Sequence, residues 1–543
     1  QGPVEGGAGT PASGGAPGAM GKKSRAKKQQ PAAEEAAEPE DRAAKEVDPG
    51  AEVAARVAEL LNGLRLEEAS AAVEEGLREL PESRALAEIK EATAELARYF
   101  EAKGVRAEVG TSAGRAAVGA EPATTTERGR GLVTTRRFKR GEVILQEAPC
   151  LIASKKVVNS GDAETALLFD LDAVWAASQA LQPVQRRLLA AFQDGMDSLP
   201  KGIAEMIRRD PSAKPLVRLA RIMKLNAHEY YPEPGQAALF VLIARANHSC
   251  NPSCGLAALD GGRQLIFYAL RDMEPGEEVD YSYLGGHFTL HPTAVRRRQL
   301  AQTKLFECRC ERCLAPELAR QPPCAAQGCG GFLQPAADAA DGRWRCCLCS
   351  IEEQDDSDRL ARYRRFEPML STKIAAFEGK WHDPGKDVSK YISDWEALAK
   401  SCGSMLGARH HSYARACFFA LQALNTGLTI RIKGMVDAER HAGGLRLFGL
   451  SLVRYLRACC PSGVRCVCLE PVGAALVLLA NSPEHRALVT EVAREAGFEE
   501  LRCPLFDGLR NAVLSKLLDD LVQEAQDSVD AAEAQDGVDA AEA

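Results

Sequence analysis

Eight of the chain's eighteen cysteines fall between Cys308 and Cys349, and that density constrains the fold more than any other feature of the sequence. Cys308-x-Cys310-x2-Cys313 brings three thiols too close together for mutual disulfides, yet well placed to wrap one tetrahedral metal through a tight turn. A fourth ligand must come from elsewhere, and Cys250 and Cys254 are the upstream candidates. Three reduced surface cysteines are the alternative, which this spacing disfavours. A second set, Cys324-x4-Cys329-Gly330-Gly331 and then Cys346-Cys347-Leu348-Cys349, has the two-knuckle form of a zinc ribbon. Cys346 and Cys349 are the better-spaced pair, leaving Cys347 over. The glycines after Cys329 let backbone amides approach the sulfur, and Trp344 is placed to cover the site. A closed four-thiolate site leaves no coordination position for water, so both clusters are expected to be structural and the reactive centre to lie elsewhere.

Cysteines in this number imply disulfides only in an exported chain. The N-terminal stretch QGPVEGGAGTPASGGAPGAM has no apolar core behind a basic start. Reduced thiols and an intracellular location, cytoplasmic or nuclear, are therefore expected. Apolar runs such as Ala237 to Ala244 fall far short of the roughly 20 residues of a membrane span, so no membrane partner is expected. The net charge of −7 is local: Asp519 to Ala543 hold nine acids and no Lys or Arg, and setting them aside leaves +2. A near-neutral body gives no global argument for nucleic-acid binding. The ribbon segment carries only Arg343 and Arg345 as basic residues, so direct nucleic-acid contact is not expected.

Pattern along the chain predicts an α+β multidomain protein. Residues 1–48, rich in Gly, Ala, Pro and charge, should be a disordered tail; their basic run Lys22 to Lys28 reads equally as a nuclear-import signal or a solvated tail. Residues 49–103 show helical spacing broken at Asn62-Gly63 and Pro81, predicting a helix pair and a third helix. There Val53, Val57, Leu60, Ala69, Val73 and Gly76 fall on the small and apolar positions of a tetratricopeptide unit, although any helical hairpin shows as much. A linker is expected over 104–123. Residues 124–286 form a β-rich core, with a strand pair predicted in Gly131 to Ala153 around the turn at Lys139-Arg140-Gly141, and strand-like runs between Ala237 and Tyr283. A helical insert over 158–235 splits this core. The first cysteine segment occupies 287–315 and the ribbon 316–352. Residues 358–518 are helical by periodicity, with breaks near Pro384-Gly385, Gly443-Gly444, Pro461 and Pro483. The nine-residue acidic repeat in 519–543 reads as a disordered, solubilising tail.

Four ordered segments resemble a SET-domain protein lysine methyltransferase of the SET-and-MYND (SMYD) class. Gly129-Arg130-Gly131-Leu132 before Arg140-Gly141-Glu142-Val143-Ile144 looks like the opening cofactor-binding turn and strand. Asn247-His248-Ser249-Cys250-x-Pro252 looks like the central NHSC motif. Gly276-Glu277-Glu278-Val279-Asp280-Tyr281-Ser282-Tyr283 looks like the GEE-x3-SY motif, and Phe306-Glu307-Cys308-Arg309-Cys310-Glu311-Arg312-Cys313 like the post-SET cysteine motif. Together they cover roughly residues 127–315.

The resemblance implies a β-rich SET fold split by a helical insert and a zinc-bound post-SET segment, and the C-terminal helices loosely resemble the family's tetratricopeptide-like domain; the zinc ribbon and the helical N-terminal domain are expected from spacing and periodicity. The resemblance also implies S-adenosylmethionine as methyl donor, lying against Gly129, Arg130, Gly131, Asn226, Asn247 and His248, with Phe306 packed on the adenine. It implies Tyr283 at the methyl-transfer point. It assigns one zinc to Cys250, Cys308, Cys310 and Cys313, leaving Cys254 free; the ribbon zinc would take Cys324, Cys329, Cys346 and Cys349. Transfer from a sulfonium to an amine is an in-line displacement that depends on positioning, and the target lysine must arrive neutral, which a desolvated aromatic channel favours. The partner implied is a protein presenting a lysine, with further protein partners through the helical flanks. His248 reads alternatively as architectural and Arg130 as an ordinary turn residue. Three departures stand out. Ser154 to Gly235 contain no cysteine, so the MYND finger is absent. Ser253 stands where an asparagine is common, and Lys304 stands where relatives place a second channel tyrosine. A catalytically silent SET-fold scaffold that binds proteins is the alternative that Lys304 motivates.

Overall fold

The computed structural model describes residues 50–62, 66–102, 109–111, 131–134, 136–154, 171–181, 189, 192, 194–230, 232–233, 235–335, 343–378, 388–431, 438–502, 512–524 and 526–527. The tail expected over 1–48 and most of the acidic repeat lie outside these residues. Helices α1 (Ala51–Asn62), α2 (Leu66–Glu79) and α3 (Arg84–Ala102) open the described chain. Their apolar positions converge on Val57, Ala69, Val73 and Leu86, all fully buried.

Short strands then build the β core. They are β1 (Val109–Thr111), β2 (Leu132–Thr134), β3 (Val143–Glu147), β4 (Leu151–Ser154), β5 (His228–Glu229), β6 (Gln236–Leu239), β7 (Asn247–His248), β8 (Cys254–Leu259), β9 (Gln264–Ala269) and β10 (Glu278–Tyr281). They assort into three sheets, ordered β1-β2-β10-β7, β3-β9-β8 and β4-β6-β5. The segment predicted as a strand pair does turn at Gly141, where φ is +80°, but β2 and β3 do not pair with each other. β2 pairs with β1 and β10, and β3 with β9. Between them Phe138 bridges to Met273 and is buried in the core, so the chain crosses between sheets where a hairpin would have folded back.

Two boundaries also differ from expectation. β1 lies inside the predicted linker, because pairing with β2 gives that stretch an edge to add to. The insert contains helices α4 (Leu171–Gln179), α5 (Lys201–Arg209) and α6 (Lys214–Asn226) but closes on strand β5, where His228 and Glu229 pair with Ala238 and Ala237.

A short bridging turn leads to α7 (Thr293–Lys304) and the single-turn helix α8 (Glu311–Leu314). The ribbon follows as a three-stranded sheet, β11 (Leu333–Pro335), β12 (Arg343–Cys346) and β13 (Glu352–Gln354). The remainder is helical: α9 (Asp358–Glu378), α10 (Val388–Leu406), α11 (His411–Arg431), α12 (Ala438–Gly444), α13 (Leu450–Cys459), α14 (Ser462–Cys468), α15 (Glu470–Leu479), α16 (Arg486–Ala496) and α17 (Phe498–Leu501). Their shared core contains Trp395, fully buried and stacked on Phe419 at 5.0 Å. The break predicted at Gly443-Gly444 does not occur; the helix continues through a π-turn at Leu445–Gly449. Gly444 is there for close approach, since a Cβ would lie 2.4 Å from Leu424 Cδ1. Helix also persists through 512–524, beyond the predicted start of the tail. Leu514, Leu517, Leu518 and Leu521 recur at helical spacing and are buried. Among the described residues no single helix is long and apolar enough to cross a membrane; the bent pair α14–α15 approaches it by composition and is largely buried in the helical core.

Buried histidines sit where the segment after β10 meets the helical domain. The rings of His291 and His411 are 5.7 Å apart and those of His411 and His410 are 4.4 Å apart. Glu367 accepts from Arg320 Nε at 2.6 Å and lies 3.0 Å from His411 Nε2. Burial holds His291, His410 and His411 far below the ordinary imidazole range, and brings His287 down to about 4. The unfolded chain takes up these protons near pH 6.5 while the folded chain refuses them, so stability falls as pH drops below that value. The thermal midpoint, followed by circular dichroism, should therefore decline steeply between pH 6.5 and 5.

Candidate active site and metal centres

Parallel pairing of β7 with β10 sets Asn247 beside Asp280 and His248 beside Tyr281. Asn247 Nδ2 donates to Glu278 Oε1 at 2.8 Å. Ser253 takes up the contact made possible by its position: its N–H donates to Asp280 Oδ1 at 2.7 Å, and its hydroxyl donates to Glu278 O and accepts from Asp280 N, both at 3.0 Å. The loop from His248 to Cys254 is thus clamped to the strand that delivers Tyr283.

Tyr283 lies just beyond β10, and its hydroxyl donates to Ala246 O at 2.7 Å. Its ring meets Tyr281 at 4.9 Å, His248 at 5.3 Å and Phe306 at 6.2 Å. Burial, with the charges of Glu278 and Asp280, pushes its phenol well up, so it remains protonated. His248 joins this cluster to the cysteines. Its Nδ1 accepts from Tyr283 N at 3.0 Å, which leaves the proton on Nε2, 3.2 Å from Cys250 Sγ. Both ring nitrogens thus have partners within the protein.

Of the other residues singled out in the sequence, Phe306 stands 6.0 Å from His248. Gly131 is buried immediately before β2, while Gly129 and Arg130 lie outside the described residues. Asn226 ends α6 and its amide donates back to Ile222 O at 2.8 Å. Sequence reasoning did not place Lys304 among the site's working groups. Its Nζ donates to Leu225 O at 2.6 Å and lies 5.3 Å from the Tyr283 ring centre, and burial lowers it to about 8. His228, also missed, approaches the Tyr281 hydroxyl at 2.9 Å, and burial takes it down to about 3. Lys304 is marked in the sequence only as a departure at the position where relatives place a second channel tyrosine, and its contact with Leu225 depends on a distant helix; His228 carries no local signal, because its partner comes from a distant strand.

Cys250, Cys308, Cys310 and Cys313 are all buried, with sulfurs within 4.8 Å of one another. Cys254 is not among them; it packs in the β core. Hydrogen bonds from the Cys250 and Cys308 thiols draw Cys310 far down and Cys313 to about 6. The guanidinium of Arg296, 99% buried, reaches Cys313 Sγ at 3.6 Å. Arg297 clips the backbone, donating to Cys308 O at 2.9 Å and Cys313 O at 3.0 Å. Such a set of converging thiols fits a tetrahedral dication.

The second set, Cys324, Cys329, Cys346 and Cys349, has the same spacing between sulfurs and is more open. A Cβ on Gly331 would lie 2.5 Å from Cys346 Sγ, so the backbone must approach the sulfurs bare. Cys347 is exposed and turned the other way, accepting from Phe332 N. Trp344 packs beside Cys346 and donates to Asp355 Oδ1 at 3.0 Å. Glu367, His410 and His411 form a third close group. There Arg320 already pairs with the carboxylate, and Ser412 N donates to His410 Nδ1, so the group reads as one Arg320–Glu367 ion pair bordered by two neutral imidazoles.

Residues 129–284 match the SET domain family. The human histone-lysine N-methyltransferase SMYD3 is 40% identical over 75 residues, 14% of this chain and 16% of that protein. SET domain-containing protein SmydA-8, isoform B, of Drosophila melanogaster is 30% identical over 134 residues, 24% of this chain and 29% of its own. The mouse protein-lysine N-trimethyltransferase SMYD5 is 37% identical over 79 residues, 14% and 19% of the two chains. The chain thus spans less than a third of each of these relatives. It carries a SET domain, and that domain is SMYD-like.

Elemental analysis separates the eight cysteines. Cys347→Ser should retain the full metal content, whereas Cys346→Ser should lose about one equivalent per chain while the buried cluster stays loaded.

Proposed function

We propose that the chain is a protein-lysine N-methyltransferase that takes its methyl group from S-adenosylmethionine, with Tyr283 as the catalytic residue. The observation that carries this reading is the convergence of Tyr283, His248 and Phe306, three residues from separate motifs, into one partly buried aromatic cluster. The donor fits the residues present. The rings of Tyr283, His248 and Phe306 offer the apolar and π surface on which a thioether chain and an adenine can lie. Gly129, Arg130, Gly131, Asn226, Asn247 and His248 would hold the donor, and Phe306 would cover its adenine. When bound, S-adenosylmethionine supplies an electrophilic methyl group.

The chain's own groups position the acceptor. Because the Tyr283 proton is committed to Ala246 O, the phenolic oxygen keeps lone pairs with which to accept an N–H of the incoming amine. That contact aims the amine's own lone pair toward the methyl-transfer point. The rings around Tyr283 exclude water and so favour the neutral amine. Two zinc ions, one on Cys250, Cys308, Cys310 and Cys313 and one on Cys324, Cys329, Cys346 and Cys349, would hold the post-SET segment and the ribbon; neither takes part in transfer. Histone and non-histone lysines inside the cell are the substrate class, and the helical flanks are surfaces for protein partners.

Purified metal-loaded protein should bind S-adenosylmethionine in a calorimetric titration and label lysines of a protein extract with tritiated donor. Tyr283→Phe should keep donor binding and metal content yet lose at least about tenfold in transfer rate, the cost of one hydrogen bond to the reacting amine. Wild-type protein that is folded and metal-loaded but binds no donor would sink the reading.

A further inference from the structure

We propose that Lys304 is a specificity-determining residue of this site, whose fixed ammonium makes the aromatic cluster reject a charged target amine and accept a neutral one. The inference rests on the methyltransferase reading above. Lys304 is the last residue of α7, and its Nζ donates to Leu225 O at 2.6 Å. That carbonyl lies in the last turn of the 13-residue helix α6, where the helix dipole favours a cation. The same Nζ lies 5.3 Å from the centre of the Tyr283 ring. Among the described residues no carboxylate forms an ion pair with it.

The groups that face it from other elements are uncharged. His228 of β5 is held neutral by burial and by the field of Lys304 itself. Burial keeps the phenols of Tyr281 and Tyr283 protonated. The carboxylates of β10, bound by Asn247 Nδ2 and Ser253 N, keep their charge and act on the Tyr283 phenol, but neither forms an ion pair with Lys304. An unneutralised cation therefore stands in a pocket of rings. A second ammonium seated on the same ring would meet it across roughly 6 Å in an effective dielectric of about 20, which lowers that amine's pKa by about two units. Lys304 itself, drawn down to about 8 by burial, keeps its charge at neutral pH and loses it in the alkaline range, so the effect has an upper pH limit.

Lys304→Met removes the charge at similar length, and Lys304→Arg retains it. Metal content and thermal midpoint establish that each variant is folded. Binding of n-butylamine, a stand-in for the lysine head, is followed by ligand-observed NMR from pH 6 to 10. Transfer to the lysines of a whole protein extract is followed over the same range. At pH 7 Lys304→Met should bind n-butylamine at least about tenfold more tightly than wild type while transferring methyl more slowly. The two should converge above about pH 9, whereas Lys304→Arg, which keeps its charge, should follow wild type below about pH 8 and stay weak in amine binding above it. If Lys304→Met binds the amine no more tightly than wild type below pH 8, the proposal is overturned, whether or not transfer is seen. Tighter amine binding without transfer by any form, wild type included, upholds the electrostatic role and overturns the methyltransferase reading alone.

Discussion

The contact on which the site depends is the imidazole of His248 stretched between Tyr283 N and Cys250 Sγ. It couples two pieces of chemistry that look independent in the sequence. On one side four sulfurs gather residues 250 and 308–313 into a single buried knot. On the other, the tyrosine expected at the transfer point takes its backbone position from the ring that this knot fixes. A tautomer follows from the same geometry: an imidazole that accepts at Nδ1 must donate at Nε2, and the Cys250 sulfur is the acceptor it finds. The post-SET segment therefore does more than close a wall. It sets the register of the residues that the aromatic cluster is made from.

From that contact outward, the fold accumulates restraints on one short loop. Ser253 stitches the loop to β10 through three hydrogen bonds. Arg312 donates to Cys250 O at 3.1 Å from the far side. Glu147, fully buried on β3, accepts from the N–H groups of Val241, Leu242 and Ile243 and so fixes the turn that leads into β7. Burial raises this carboxyl to about 7 against those three donors. Placing a carboxylate there is costly unless the amides that surround it would otherwise be orphaned. The helical domain contributes from behind, with Cys466 of α14 packed on Ile266, Tyr268 and Leu270.

What the sequence made legible was chemistry concentrated in short motifs. Cys308-x-Cys310-x2-Cys313 and the ribbon spacing carry their ligand sets within a few residues, and even the exclusion of Cys347 follows from spacing. What stayed hidden depends on partners far along the chain. β8 reads Cys-Gly-Leu-Ala-Ala-Leu, a poor strand by propensity, and exists because six residues pair with β9. The expected strand pair around Gly141 failed for the converse reason: each half had a longer-range partner. The acidic tail began later than its composition implied, since four buried leucines outweigh the adjoining charge. The histidine cluster draws on residues 291, 367, 410 and 411 and leaves no pattern in any one stretch.

Lys304 shows why a departure from a family pattern is better read through its contacts than as a loss. A lysine in place of an aromatic wall would ordinarily swing to solvent and leave the channel open. Here the carbonyl of Leu225, in the last turn of α6, holds the head against the Tyr283 ring. The charge is thereby kept where an aromatic wall would have acted by shape and desolvation. Both devices penalise an incoming ammonium, one by stripping its water and the other by direct repulsion, and the second retains its force even where the pocket is wider. On the proposed function, a substitution that suggests an inactive site from sequence becomes a different physical means to the same requirement: a target amine that arrives without its proton.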